Sequence, residues 1–135
     1  MAGKTKILIA EHNTPLATMM VHLLTRARCA VETAWRAEQI LPFAQSGQFD
    51  LIVLDVDFPE MDGLEICYRL KADTRLNLPP LFFVSDRPHV EVSRRVGAVG
   101  HIIKSFEVSD FIFRVFSLLK FRNEAAAVFL QEANA

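Results

Sequence analysis

Cysteine is scarce: only Cys29 and Cys67 occur in 135 residues. Their spacing suits neither a metal site nor a disulfide framework. Both fall at apolar positions of expected elements, so they read as buried free thiols in a reducing, cytoplasmic setting. Glycine is scarce too, with five in all, and no Gly-x-Gly-x-x-Gly follows the first apolar run, which excludes a dinucleotide-binding turn there. No apolar run is long enough to span a bilayer, so no membrane association is expected. Residues 1–6 lack the apolar stretch of a signal peptide. Charge of one sign is also missing. Fifteen Lys and Arg against sixteen Asp and Glu leave a net charge of −1, which gives no reason to expect direct nucleic-acid binding. Tyr and Trp occur once each, whereas Phe occurs eleven times.

What is present is a series of short runs, four of them apolar and leading into a polar residue and one, Val31–Ala34, of mixed polarity. Ile7–Ala10, Val31–Ala34, Phe49–Leu54, Leu81–Val84 and His101–Ile103 read as strands. Helical spacing separates them. Leu16, Met19, Met20, Leu23 and Leu24 follow an Asn13 or Thr14 cap with Pro15 in the first turn. Ile40, Leu41, Phe43 and Ala44 mark a short helix weakened by Pro42 and closed by Gly47. Asp62 and Glu65 have capping-box spacing ahead of Leu64, Ile66, Cys67 and Leu70. A weak helix is expected over 89–96, with Val92 and Val96 inward and Gly97 as its stop. A strongly apolar one is expected from Val108 to about Phe121. Strict alternation predicts an α/β fold, a five-stranded parallel sheet with helices on both faces. The length suits one domain, over 5–121, followed by an Ala-rich helical extension or tail over 122–135.

The ends of four strands carry the chemistry. Glu11-His12 follows the first, Asp55 the third, Ser85 the fourth and Lys104 the fifth. A doubly wound sheet gathers such ends at one crevice. Carboxylates bind a hard divalent cation through oxygen. A carboxylate beside that cation can attack phosphorus. A lysine and a hydroxyl can then stabilise charge on the phosphoryl oxygens.

These residues resemble the response-regulator receiver domain of two-component signalling, as in the chemotaxis receiver. The resemblance spans about 5–121 and includes Pro59, Asp62, Gly63, Gly97-Ala98 and Lys104-Ser-Phe106. It implies a flavodoxin-like sheet of order 2-1-3-4-5. It implies that Asp55 accepts a phosphoryl group from a histidine kinase or phosphotransfer protein, with possible self-dephosphorylation but no separate enzymatic activity. It assigns Mg²⁺ to Glu11, the Asp55 carboxylate and the Asp57 backbone carbonyl. Ser85 becomes the switch hydroxyl and Lys104 the cation paired with Asp55 or its phosphate. His101 takes the position of an aromatic switch residue.

Three positions depart from the family pattern. His12 stands where a second acid is usual; imidazole suits zinc, copper or nickel better than Mg²⁺. This makes His12 a doubtful Mg²⁺ ligand and points to another divalent ion as the alternative. Asp57 either adds a carboxylate near the ion or points to solvent. Ser105 replaces a proline, so a trans bond after Lys104 is expected. His101 replaces an aromatic side chain. A pseudo-receiver, binding partners without phosphorylation, is the alternative function. Asp55-Val-Asp57 also resembles the opening of haloacid-dehalogenase-type phosphatases, but that motif belongs on a first strand. Phe113 and Phe116 lie off the expected inward stripe of Phe111, Ile112, Val115, Leu118 and Leu119. With Val99 they predict an outward apolar surface for a homodimer or partner, near the 89–96 helix and the fifth strand.

Overall fold

Five strands form where the apolar runs fall, in a computed structural model that describes residues 3–73, 75–86, 95 and 97–119. They are β1 (Lys6–Ala10), β2 (Ala30–Ala34), β3 (Leu51–Asp55), β4 (Leu81–Ser85) and β5 (Gly100–Ile103). All neighbours pair in parallel, in the order β2-β1-β3-β4-β5. Four helices are described: α1 (Thr14–Arg26), α2 (Ala37–Ser46), α3 (Gly63–Ala72) and α4 (Val108–Leu118). The helix expected over 89–96 lies almost wholly outside the described residues, as does the tail over 122–135.

Period-two alternation divides the buried residues between two cores. Ile7, Ile9, Leu51, Val53, Phe82, Val84 and Ile102 pack against α1 and α4. Leu8, Ala10, Ile52, Leu54, Leu81 and Phe83 pack against α2 and α3. The central strands are therefore apolar on both faces, as a doubly covered parallel sheet requires. Cys29 and Cys67 are buried free thiols, one in each core.

Local signals were followed with instructive exceptions. Asn13 caps α1, its Oδ1 accepting from the Leu16 N–H at 3.0 Å. Asp62 caps α3, accepting from the Leu64 N–H at 2.9 Å. Glu65 does not complete a capping box; it pairs with Arg69 one turn on, at 3.0 Å. Gln39 instead reaches back to the N–H groups of Trp35 and Arg36, at 2.8 and 3.1 Å. Pro42 lies inside α2, where it cannot donate to the Glu38 carbonyl. Phe49 falls outside β3; its ring lies beneath the Lys6 ammonium, 4.9 Å from Nζ. Gly63 lets α3 approach the chain after β3, since a Cβ there would come within 2.5 Å of Val56 Cα.

Candidate functional site

Strand register places the two acids side by side. Ala10 pairs with Leu54, so Glu11 and Asp55 lie one step beyond on adjacent parallel strands. Glu11 shares the parity of Ile7 and Ile9, and Asp55 that of Leu51 and Val53, so both acids share a face. This is the crevice where the order reverses between β1 and β3, the usual ligand position in an open α/β sheet. Both acids are buried, at 1% and 0% exposure.

Lys104 closes the group from β5. Its Nζ lies 3.1 Å from Asp55 Oδ1, 3.5 Å from Glu11 Oε2 and 4.0 Å from Asp57 Oδ2. The peptide bond after it is trans, as Ser105 predicts. The Phe106 N–H donates to the Ile103 carbonyl at 2.9 Å. The Phe106 ring stacks on Phe111 of α4, with centroids 5.2 Å apart. That turn holds the lysine over the acids without a proline. The Lys104 N–H donates to the Ser85 carbonyl at 2.8 Å, which ties the ends of β4 and β5 together. Ser85 itself is buried at 3% exposure.

His12 does not turn away from the cluster. Its Nδ1 meets Asp55 Oδ2 and lies 3.5 Å from Glu11 Oε2. Its ring leans on Phe58, 5.7 Å between centroids. Asp57 holds the rim: its Oδ2 accepts the Asp86 N–H at 2.8 Å. Its own N–H donates to Asp55 Oδ1 at 2.7 Å. Of the two expectations for its side chain, the position beside the site is the one observed.

The charges divide unequally between the two buried carboxyls. Burial pushes the Glu11 carboxyl up to about 8, and its hydrogen bond to Asp55 pushes the same way. Burial also works against ionised Asp55. It is outweighed by hydrogen bonds from Glu11 and the Asp57 N–H and by the Lys104 charge, which hold Asp55 below the usual carboxylate range. The environment thus favours the neutral form of Glu11 and the ionised form of Asp55. Burial opposes the Lys104 charge too, but Glu11 and Asp55 raise its pKa. The result is an ionised, positioned nucleophile with an ammonium against one oxygen.

The donor set fits a divalent cation. Glu11, His12 and Asp55 each offer one ligand atom, and these lie within 4.8 Å of one another. Glu11 Oε1 is buried and has no hydrogen-bond partner among the described residues, an arrangement that a cation would satisfy. A cavity of about 750 Å³ opens at the opposite, N-terminal end of the strands, beside Thr5, Gly47, Phe49 and Arg75. It lies away from the strand ends that carry this cluster.

Residues 7–116 match the response regulator receiver domain. The chain belongs to that family. It is the receiver domain of a two-component response regulator. Among its relatives is the response regulator ArlR of Staphylococcus haemolyticus, 30% identical over 116 residues, which cover 86% of this chain and 53% of ArlR. The receiver thus spans about half the length of the curated relatives it matches. Chemotaxis protein CheY4 of Vibrio cholerae has the same fold at a TM-score of 0.78 and 25% identity, covering 86% of this chain and 99% of CheY4. Response regulator TrrA of Thermotoga maritima, solved in complex with Mg²⁺ and BeF, matches at a TM-score of 0.73 and 21% identity, over 84% of this chain and 98% of its own.

The receiver's strand-end residues were legible in the sequence, and the structure brings Glu11, His12, Asp55, Asp57 and Lys104 together, with Ser85 on the neighbouring strand end. His101 lies further back on β5, half-buried beside Ile103, Phe106 and Arg114. Phe116 corrects the expected surface. It is buried at 1% exposure, within the core beneath α4. It lies one turn after Ile112, inside the inward stripe, and only Phe113 of the pair faces out, at 53%. Val99 is exposed as expected, joined by Ile103 and Val108. Sequence reasoning missed one contributor, Asn13: besides capping α1, its N–H donates to Glu11 Oε2 at 3.0 Å. Its position, two residues past the strand-end acid, is the signal that could have revealed it. No helix among the described residues is long and apolar enough to cross a membrane.

Proposed function

We propose that Asp55 accepts a phosphoryl group from the phosphohistidine of a histidine kinase or phosphotransfer protein in the cytoplasm. An Asp55 carboxylate oxygen forms the new bond to phosphorus as the phosphorus–nitrogen bond breaks, and the imidazole leaves with the electron pair and takes up a proton. The observation that carries this reading is Lys104 Nζ at 3.1 Å from an ionised, buried Asp55. A buried acid and lysine held without function would be a poor route to stability. Lys104 stabilises charge on the transferring oxygens, and the Ser85 hydroxyl turns to the aspartyl phosphate. His101, on the strand that leads into Lys104, follows that movement. Glu11, Asp55 and the Asp57 carbonyl would hold a divalent cation; TrrA, of the same fold, was solved with Mg²⁺. When bound, the ion neutralises phosphoryl charge. Attack of water on the aspartyl phosphate, returning free Asp55, is the one hydrolytic turnover proposed.

The modified domain acts by changing what it binds. Phe113, Val99, Ile103 and Val108 form the exposed apolar surface we propose for a second copy of the chain. Asp110 and Arg114 flank it and pair within one protomer at 3.2 Å. Such a pair can exchange partners across a two-fold axis, because an isologous contact presents the same patch twice.

Incubation with acetyl phosphate and a divalent ion, read by intact mass, tests the acceptor. A phosphoryl increment is expected on the parent and absent from Asp55→Asn. If no divalent ion supports an increment that this substitution removes, the phosphoacceptor reading falls.

A further inference from the structure

We propose that the Glu11–His12–Asp55 cluster prefers a divalent ion of the zinc type over Mg²⁺, with His12 as the ligand that sets the preference. The inference deepens the phosphoryl-acceptor reading of the same cleft and rests on it.

Mg²⁺ requires near-octahedral oxygen ligands and keeps several waters. Besides the Asp57 carbonyl, the cleft offers two buried carboxyl groups and an imidazole nitrogen. Asp57 is the acid that might have replaced it, but its carboxylate is already engaged by the Asp86 N–H at 2.8 Å. The His12 ring is not a loose surface group. It is one-third exposed, rests against Phe58 and directs Nδ1 at the acids. Imidazole nitrogen is a preferred ligand of zinc and its neighbours.

The three ligand atoms are close enough to converge on one ion. Zinc sites that act on substrates use three protein ligands at about 2.0–2.2 Å and leave a fourth position open. Two such ligands in a tetrahedron stand about 3.3 Å apart. His12 Nδ1 and Glu11 Oε2 are 3.5 Å apart. An ion there would replace the proton between His12 Nδ1 and Asp55 Oδ2. Glu11 can meet the ion through Oε2, which also accepts the Asn13 N–H, or through the unpartnered Oε1. The fourth position would remain for a phosphoryl oxygen. The exposed third of the His12 ring gives the ion a way in.

The metal-free full chain, titrated with Zn²⁺ or Mg²⁺ alone, tests this through the ¹⁵N signals of its histidine rings and through calorimetry. Zn²⁺ is expected to shift His12 Nδ1 and saturate it, while Mg²⁺ leaves the ring unmoved. His12→Asp should lower the ratio of Zn²⁺ to Mg²⁺ affinity about tenfold or more. His12→Asn, which keeps similar bulk without the ring nitrogen, should lose Zn²⁺ affinity to a similar degree and covers the case in which His12→Asp folds poorly. An unmoved His12 ring, or an unchanged affinity ratio in a folded variant, overturns the proposal. No phosphodonor is present, so the two readings separate. Zn²⁺ bound through His12 with an Asp55 that never reacts would remove only the acceptor. Asp55 phosphorylated with Mg²⁺ while Zn²⁺ ignores His12 would remove only this inference.

Discussion

Asp55 and Cys67 are both fully buried ionisable side chains, yet they end on opposite sides of their ordinary acidity. Burial favours the neutral form of each. At Asp55 the hydrogen bonds and the lysine reverse the effect; at Cys67 and Cys29 burial prevails, raising the thiols to about 12 and about 11. The thiols should therefore resist a disulfide reagent at pH 8 in the folded protein and react in urea. They also imply a slope in stability. A thiol titrates near 9 when unfolded, so its contribution is complete below that pH. It is lost as pH rises through the folded values, by about 1.4 kcal/mol per thiol per pH unit between them. Urea unfolding from pH 8 to 10.5 should show this fall, and Cys29→Ala/Cys67→Ala should remove its part of it. An equal slope in parent and double variant would contradict the assignment. The acids and the lysine were legible because each ends an apolar run. The His12 contact was not, since it joins residues 43 positions apart through a choice of side-chain rotamer.

Helix α4 shows what spacing settles and what it leaves open. Phe113 and Phe116 look alike in sequence, three apart among apolar neighbours. On the helix they lie only about 60° apart: Phe116 falls about 40° from Ile112, at the border of the inward side, and Phe113 lies a further 60° outward. The structure buries Phe116 completely against the sheet and leaves Phe113 more than half exposed. Phe116→Ala should thus cost about 3–5 kcal/mol in urea denaturation. Phe113→Ala should stay within about 0.5 kcal/mol. Similar losses for both would mean that the outward side of α4 is packed after all. Element existence was legible elsewhere because runs with both faces buried carry no competing polar pattern. Caps were less so: Glu65 had two partners within reach, the N-cap and Arg69, and the sequence does not rank them.

At the scale of the whole molecule, the topology links the acceptor to the apolar surface through one edge strand. β5 ends at Ile103, which is exposed, and the next residue is Lys104, which reaches Asp55. On the proposed reading, a phosphoryl group on Asp55 would change what Lys104 pairs with, and β5 and Phe106 would carry that change toward α4. This can alter association only if the two arrangements bind the second copy with different affinity. Phe113 is the test residue because it is apolar and more than half exposed. In a self-associating parent, Phe113→Glu should place two carboxylates at the shared contact and weaken association about tenfold or more in sedimentation velocity. The variant should still accept phosphate on Asp55, because the substitution lies outside the acid cluster. Unchanged sedimentation of a dimeric parent would discard this surface. Loss of phosphorylation together with association would show instead that the helix and the acceptor are coupled in the unmodified state.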